Sequence, residues 1–380
     1  MGKIIDNTQK NLIYLLACSL ENVSPKLKYL KNLDTKMLYR YSHIHSIASI
    51  IGIALAKSDN LSLFFNEEEI KYWQMSVNNA LKKRIQFDME RKEITGFLDK
   101  AGIWYCPLKG IIIQDLYPSF EMREMADNDL LYDAGKRDLL MEYMNKRGYE
   151  IEFSGVTNHD EYIKPPIFNF EFHSKLFRSI FSEKFTEYYD HINDKLIEND
   201  NNSFGRHMSR EDFYIYFVAH AYKHYKRGGT GLRTLSDFYV INKAYRDNFN
   251  WNYTKNELRK LGIAGFEGIN RRMAKKIFSN PEDVFTSIDT LSEKELRLLT
   301  YMANSGTYGQ EEDEIKGRLK DGRLAFVISR LFPNEAYYRE AYPFIHKHPY
   351  LKVFFLPYRW SSRLILNRRR ILKEIKMLLK

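Results

Sequence analysis

Two aspartates separated by one residue, Asp127 and Asp129, lead into the apolar run Leu130-Leu131-Tyr132. Side chains alternate between the two faces of a β-strand, so on a strand both carboxylates would project from the same face. Two ionised carboxylates that close repel each other unless a cation lies between them. Mg²⁺ suits such a position because it takes oxygen ligands and leaves room for water and substrate phosphates. The run therefore predicts a strand that supplies two ligands of a metal site. The alternative interpretation is a strand edge whose carboxylates are simply solvated.

A third acidic residue stands in a second strand pattern further along the chain. Polar and apolar residues alternate strictly from Phe168 to His173, which indicates a strand with Glu171 and His173 on one face. We therefore predict Asp127, Asp129 and Glu171 to be the metal ligands and the catalytic residues.

The segment before the aspartates combines a short strand, a glycine and a helical turn. Apolar residues 104–108 indicate the strand, which breaks at Lys109-Gly110 before the run Ile111-Ile112-Ile113. Such a junction leaves unpaired backbone N–H groups where a phosphate could bind beside Lys109. Arg123 follows, and its guanidinium suits bidentate binding of phosphate oxygens.

A glycine run, Gly228-Gly229-Thr230-Gly231, separates two further helical patterns. Basic residues flank it, and a backbone with little side-chain bulk beside bases is typical of an anion site. The plain alternative is a helix–loop–helix corner with ordinary surface bases. Four residues of this stretch are predicted to bind substrate: His224, Gly229, Arg233 and Asp237.

These motifs together resemble the polymerase-β-like nucleotidyltransferase superfamily. More narrowly, they resemble a bacterial family of poorly characterised nucleotidyltransferases, and the resemblance covers roughly residues 100–380. The wider superfamily carries Gly-Ser where this chain has Lys109-Gly110. The matching segments are Leu108-Lys109-Gly110, Arg123, Asp127-x-Asp129-Leu130-Leu131, Glu171-x-His173, residues 220–237 and residues 331–379.

The resemblance implies an α+β fold, with a small mixed-sheet nucleotidyltransferase core embedded between N-terminal and C-terminal helical regions. It also implies transfer of a nucleoside monophosphate from a nucleoside triphosphate to a hydroxyl or phosphate acceptor, with one or two Mg²⁺ ions or Mn²⁺. A catalytically silent nucleotide-binding or scaffold protein and an RNA-end-modifying nucleotidyltransferase are the alternatives. The expected substrate-binding residues are Lys109, Gly110, Arg123, His173, His224, Gly229, Arg233 and Asp237.

Helical periodicity dominates outside the core. Asn66 is a good N-cap for a long helix from Glu67 to Lys100, with acidic residues in its first turn. We predict four regions: an N-terminal helical region 1–100, a nucleotidyltransferase-like core 101–205, a helical domain 206–343 that completes the cleft, and a basic C-terminal helix 344–380.

Charge is concentrated at the C-terminal end. Residues 359–380 carry eight Lys or Arg and one acidic residue, a net +7 of the chain's +10. Arg368, Arg369 and Arg370 would fan around a helix by about 100° per residue, which fits solvent or an extended phosphate surface better than a compact pocket. We therefore favour a small-molecule acceptor, with RNA as the alternative partner of the basic helix.

The apolar runs are too short for a membrane-spanning helix, which needs about 18 or more apolar residues. Two cysteines do not make a disulfide framework, and the first residues lack the apolar core of a signal peptide. These features predict a cytoplasmic protein without a transmembrane segment.

Overall fold

The computed structural model describes residues 5–30, 32–153, 158–200, 202–247, 249–307, 322–366, 371 and 378. Within these residues one mixed β-sheet lies among helices that precede and follow it in the chain. The predicted α+β class with flanking helical regions is confirmed.

The described part of the sheet has seven strands in the order β3-β4-β5-β2-β1-β7-β6. β2 lies between β1, to which it is antiparallel, and β5, to which it is parallel. All five residues of β2 are buried, as expected for an apolar strand with neighbours on both sides. The strands are β1 Tyr105–Pro107, β2 Asn128–Tyr132, β3 Glu150–Phe153, β4 His159–Lys164, β5 Phe168–His173, β6 Ile197–Asn199 and β7 Asn202–His207.

Four helices precede the sheet: α1 Asn7–Leu20, α2 Thr35–Ile44, α3 Ala48–Ala56 and α4 Glu67–Lys100. Asn66 caps α4 as predicted: its side chain accepts from the Glu69 N–H at 2.9 Å, and Glu69 accepts from the Asn66 N–H at 3.1 Å. This reciprocal pair satisfies two N–H groups that a helix start leaves unpaired.

Two short helices lie within the sheet region, α5 Gly110–Ile113 and α6 Arg137–Lys146, and α7 Glu183–Tyr189 follows β5. The later helices are α8 Arg210–Arg227, α9 Leu232–Ala244, α10 Trp251–Leu261, α11 Ala264–Phe278, α12 Val284–Asp289, α13 Glu293–Ser305, α14 Arg323–Leu331, α15 Glu335–Ala341, α16 Pro343–Lys347 and α17 Lys352–Leu366. The 3₁₀ helices are Leu27–Tyr29, Leu61–Leu63, Gln114–Leu116, Ala134–Lys136, Ile192–Lys195, Pro281–Asp283 and Pro349–Leu351.

The two faces of the sheet pack against different helices. Leu130 and Tyr132 of β2 belong to a cluster with residues of α4 and α6. Leu131, which points to the other face, belongs to a larger cluster with residues of α1, α3, α8, α9 and α11. The alternation along β2 therefore places helices on both sides of the strand that carries Asp129.

The predicted basic C-terminal helix falls partly outside the described residues, because Arg368, Arg369 and Arg370 lie there. The described part of residues 344–366 is not one helix: it contains most of α16, the 3₁₀ helix Pro349–Leu351 and α17. None of the helices in the described ranges is both long and apolar enough to pass through a bilayer. The division into four regions stays a prediction.

Candidate active site

The three predicted acidic residues come together where β2 begins and beside the second half of its parallel neighbour β5. Asp129 of β2 is the register partner of Glu171 of β5, so the two side chains lie on one face of the sheet. Asp127 lies just before β2, because the strand begins at Asn128, whereas the sequence suggested that both aspartates belong to the strand. Carboxylate oxygens of all three residues nevertheless lie within 4.8 Å of one another.

The two aspartates have opposite electrostatic surroundings. Asp129 is 3% exposed, and its Oδ1 accepts from Lys109 Nζ at 2.8 Å and lies 2.7 Å from His173 Nε2. Burial raises the pKa of Asp129, but Lys109 and His173 outweigh it and hold this pKa well below its ordinary value. Burial and the charge of Asp129 raise the pKa of Asp127 to about 6. A bound cation would thus stabilise the ionised form of Asp127.

His159 is a neighbour of this cluster that the sequence reasoning missed. Its Nε2 lies 3.8 Å from Glu171 Oε2, and His173 Nε2 lies 3.4 Å from the same oxygen. His159, Glu171 and His173 form a second group whose ligand atoms lie within 4.8 Å of one another. Strand pairing across the Pro165-Pro166 turn puts His159 opposite His173, so a hairpin prediction for these strands would have found it.

The junction after β1 differs from the phosphate-binding turn expected there. The N–H groups of Ile111 and Ile112 donate to the carbonyl oxygens of Leu108 and Lys109 at 3.2 and 3.1 Å. These groups are therefore paired within the turn, which corrects the expectation that they stay unpaired. Lys109 has a positive φ of 42°, and its ammonium reaches Asp129 rather than open solvent.

Arg123 and Asp237 form a buried, bidentate ion pair with each other. Arg123 Nε and Nη2 donate to Asp237 Oδ1 and Oδ2 at 2.8 and 2.9 Å, and Tyr117 Oη donates to Oδ1 at 2.8 Å. A Cβ on Gly110 would lie 2.8 Å from Arg123 Nη1, so glycine allows this arginine to pass close to the chain. The guanidinium of Arg123, which was expected to bind phosphate, therefore binds a carboxylate instead, and Asp237 is its counterion.

The glycine run is packed rather than open. Gly228 ends α8 with a φ of 95°, and the Gly229 N–H donates to the His224 carbonyl oxygen at 3.0 Å. A Cβ on Gly231 would lie 2.8 Å from backbone atoms of Gly306 and Thr307 and 2.7 Å from His45 Nδ1. Gly231 is therefore needed for a close approach of two backbones, while Gly229 lines the cleft.

Gly231→Ala should lower the free energy of unfolding by about 1–3 kcal/mol, because backbone atoms cannot move aside as a flexible side chain can. Gly96→Ala in α4 is the matched control: its Cβ meets nothing within 4 Å, and the change should stabilise the protein by roughly 0.5–1 kcal/mol. Urea titration of both variants measures this difference. Equal stability of the two variants would contradict the packed loop.

The carboxylates face a cleft of about 360 Å³ with a basic opposite wall. Burial and the charges of Lys109 and Arg227 lower the pKa of Lys223 to about 7. Burial and the charge of Lys223 lower the pKa of His224 to about 3, so His224 is neutral, and its Nε2 lies 3.2 Å from His220 Nε2. All eight residues that were predicted to bind substrate line this cleft: Lys109, Gly110, Arg123, His173, His224, Gly229, Arg233 and Asp237.

Among the arginines that line the cleft, Arg178 and Arg227 were not predicted as site residues. Arg227 lies at the end of α8 with its guanidinium 5.7 Å from the Phe181 ring centre. Its place in a basic last turn beside the glycines was a usable signal. For Arg178, which follows β5 in a loop, no local pattern pointed to the cleft.

A carboxylate cluster on a mixed sheet, facing a cleft lined by cations, is the arrangement expected of an enzyme that transfers phosphorus-containing groups. A family model described as uncharacterised nucleotidyltransferase matches residues 31–279. The chain therefore belongs to this nucleotidyltransferase family and is a transferase. In comparisons with curated proteins and with solved structures, nothing matches.

The extent of the match differs from the resemblance expected from the motifs. It begins within the N-terminal helices rather than near residue 100, and it ends at residue 279, so residues 331–379 lie beyond it. Helix α4, whose residues pack against the sheet, lies within the match. The bacterial origin expected of the family stays a prediction.

Proposed function

We propose that this protein is a metal-dependent nucleotidyltransferase that moves a nucleoside monophosphate from a nucleoside triphosphate, such as ATP, to an acceptor and releases pyrophosphate. The observation that carries the proposal is the set of three carboxylates, Asp127, Asp129 and Glu171, within 4.8 Å of one another in a basic cleft. Family membership supports nucleotidyl transfer as the reaction type.

The donor set fits Mg²⁺, or Mn²⁺, because all three side chains offer hard oxygen ligands and a cation would stabilise the ionised form of Asp127. One or two ions would be held by Asp127, Asp129 and Glu171. Bound there, the metal would offset charge on the triphosphate and lower the pKa of an acceptor hydroxyl.

The reaction proposed for a hydroxyl acceptor is an in-line displacement at the α-phosphorus. The acceptor oxygen forms a bond to the α-phosphorus, the bond from phosphorus to the bridging oxygen breaks, and pyrophosphate leaves with the electron pair. Glu171 takes the hydroxyl proton as general base. Lys109 and His173 hold Asp129 in place through the contacts to its Oδ1.

Phosphate oxygens are assigned to the opposite wall of the cleft. Lys223, Arg227 and Arg233 supply its positive charge, beside His224 and Gly229. Arg123 keeps a positioning role in this proposal, because Asp237 already occupies its bidentate donors.

Lys223→Met should weaken binding of a non-hydrolysable triphosphate with Mg²⁺ by roughly tenfold to a hundredfold, since a charged hydrogen bond contributes about 1.5–3 kcal/mol. The same change should stabilise the nucleotide-free protein by about 1 kcal/mol, because it removes a cation whose burial is unfavourable. Lys226→Met, at an exposed position of the same helix, is the control: it should leave the nucleotide affinity unchanged and, because a cation in the last turn of a helix is favourable, should not stabilise the protein. Calorimetric titration and thermal unfolding measure the two effects.

The pH dependence of this stability difference has a definite sign. The folded-state pKa of Lys223, about 7, lies below the ordinary value of 10.5. Between these values the unfolded chain holds a proton that the folded protein lacks, so the wild type gains stability as pH rises. The advantage of Lys223→Met should therefore be largest at pH 6.5 and smaller at pH 9. A constant difference would contradict the assignment.

The decisive experiment incubates the protein with each α-labelled nucleoside triphosphate, Mg²⁺ and a cell extract, and then sizes the labelled product. Label on a small molecule would support the proposed small acceptor, and label on RNA would instead support RNA-end modification through the basic C-terminal helix. Metal-dependent triphosphate binding without transfer would favour a catalytically silent binding or scaffold protein. We place the reaction in the cytoplasm as part of the same proposal.

A further inference from the structure

A second cavity, of about 240 Å³, lies beside the catalytic cleft and plays no part in the mechanism so far. Residues of α2 and α4 form one side of it, and the segment from Arg123 to Met125 forms the other. The same three residues also line the catalytic cleft. The cavity and the cleft are thus neighbours that share one wall, and this wall ends at Met125, two residues before Asp127.

Aromatic side chains form part of the walls of this cavity. Tyr39 and Tyr72 line it with their ring centres 6.0 Å apart, and Phe87 lines it from within α4. Tyr72 keeps 43% of its surface exposed, while Phe87 is buried. Exposed and half-buried rings at a cavity offer faces on which a planar ligand can pack.

Two buried polar atoms of residues that line the cavity have no hydrogen-bond partner within the described chain: Arg84 Nη1 and Gln114 Oε1. Arg84 is 9% exposed, and its Nε donates to Asp88 at 2.7 Å. Gln114 is 2% exposed, and its Nε2 donates to the Ile111 carbonyl oxygen at 3.1 Å. The Arg84 guanidinium also donates to Asp115 through Nη2, so two carboxylates fix Arg84 and one carbonyl oxygen fixes Gln114, with one donor and one acceptor left over. Buried groups of this kind are rare unless something else satisfies them.

Electrostatics link the cavity to the reacting centre. Lys83, which also lines it, interacts with the charges of Glu124 and Asp127. Its Nζ lies 4.9 Å from the centre of the Phe87 ring. A ligand packed against the rings of Tyr39 and Tyr72 would therefore have this cation on the side of the cavity that faces the carboxylate cluster.

We propose that this cavity is the acceptor site, and that the acceptor presents a nucleobase-like group: a flat ring with a hydrogen-bond donor beside an acceptor. The ring lies against the aromatic walls, and its polar edge supplies partners for Arg84 and Gln114. The attached hydroxyl then reaches the carboxylates past the shared wall. This inference rests on the proposed function, in which the triphosphate occupies the catalytic cleft.

The test titrates the full chain with adenosine, guanosine, cytidine and uridine, with and without saturating α,β-methylene-ATP and Mg²⁺. Because the analogue fills the catalytic cleft, nucleoside that still binds has another site. We expect at least one nucleoside to bind under both conditions. Ser76→Trp, which places an indole in the cavity, should weaken that binding at least tenfold, and Gln86→Trp, on the exposed face of α4, should leave it within twofold.

Gln114→Met provides a second variant of similar side-chain volume. It removes the acceptor atom, so it should reduce both the affinity for the preferred nucleoside and the preference among the four. A short oligoribonucleotide that ends in the preferred nucleoside tests whether the acceptor is a free nucleoside or an RNA end. If the oligoribonucleotide binds more tightly than the nucleoside, the acceptor is an RNA end.

Two results would overturn the inference: no nucleoside binds when the analogue is present, or Ser76→Trp binds nucleoside as well as Gln86→Trp does. Failure of the proposed function has a different signature. In that case α,β-methylene-ATP itself does not bind in a Mg²⁺-dependent manner, whatever the nucleosides do.

Discussion

Asp129→Asn is expected to reduce nucleotidyl transfer by about 10³-fold or more. Asp129 is in register with Glu171 on the neighbouring strand. Its carboxylate lies within 4.8 Å of the carboxylates of Asp127 and Glu171, so all three could bind one metal ion. Loss of a metal ligand removes several kcal/mol of charge stabilisation in the transition state, and each 1.4 kcal/mol is about tenfold in rate. Release of labelled pyrophosphate under single-turnover conditions measures the effect.

The two aspartates should differ in their effect on stability, although both changes inactivate. Asp129→Asn leaves the ammonium of Lys109 with a weaker partner, so the metal-free protein should lose about 1–3 kcal/mol. Asp127→Asn removes a charge that burial and Asp129 disfavour, so it should stabilise the metal-free protein by about 1 kcal/mol. A sequence view of mutually repelling carboxylates predicts stabilisation by both changes.

Asp59→Asn, at an exposed position in the turn after α3, is the control and should alter neither rate nor stability. Transfer by Asp129→Asn or Asp127→Asn within tenfold of the wild type would refute the metal-site assignment. Thermal unfolding in the presence of a chelator separates the stability effects from metal binding.

Asp237→Leu should lower the free energy of unfolding by about 3–5 kcal/mol, because it leaves the charge of Arg123 buried without a counterion. Both side chains are less than 10% exposed, and two parallel hydrogen bonds join them. Burial lowers the pKa of Arg123, but Asp237 outweighs it and holds this pKa above the ordinary value, so the arginine stays charged. Denaturant unfolding measures the loss.

The double variant Arg123→Met, Asp237→Leu tests whether the unpaired charge is the cause. It removes both charges, so it should recover most of the stability that Asp237→Leu loses. Tyr117→Phe, which removes only the third hydrogen bond to Asp237, should cost about 1 kcal/mol. If the double variant is as unstable as Asp237→Leu, the pair contributes through its packing and not through its charge.

Local pattern was sufficient for most elements of the fold. Alternation from Phe168 to His173 and the apolar run after Asp129 predicted strands, and both form, with Glu171 and His173 on one face. The cap at Asn66 and the stop at Gly228 are likewise short-range effects. Neighbouring residues decide such features, because backbone geometry sets which side chains share a face and which residues can end a helix.

What the sequence by itself determined is therefore the identity of the elements and of the three acidic residues. Only the tertiary structure decided which distant residues contact each other. Arg123 forms an ion pair with Asp237, 114 residues away, and Lys109 and His173 contact Asp129. Gly231 packs against the backbone that follows Ser305. Periodicity says which face a side chain occupies but not which distant group meets it. That choice depends on the packing of whole elements, where a buried charge must find a counterion and two backbones must fit in one space.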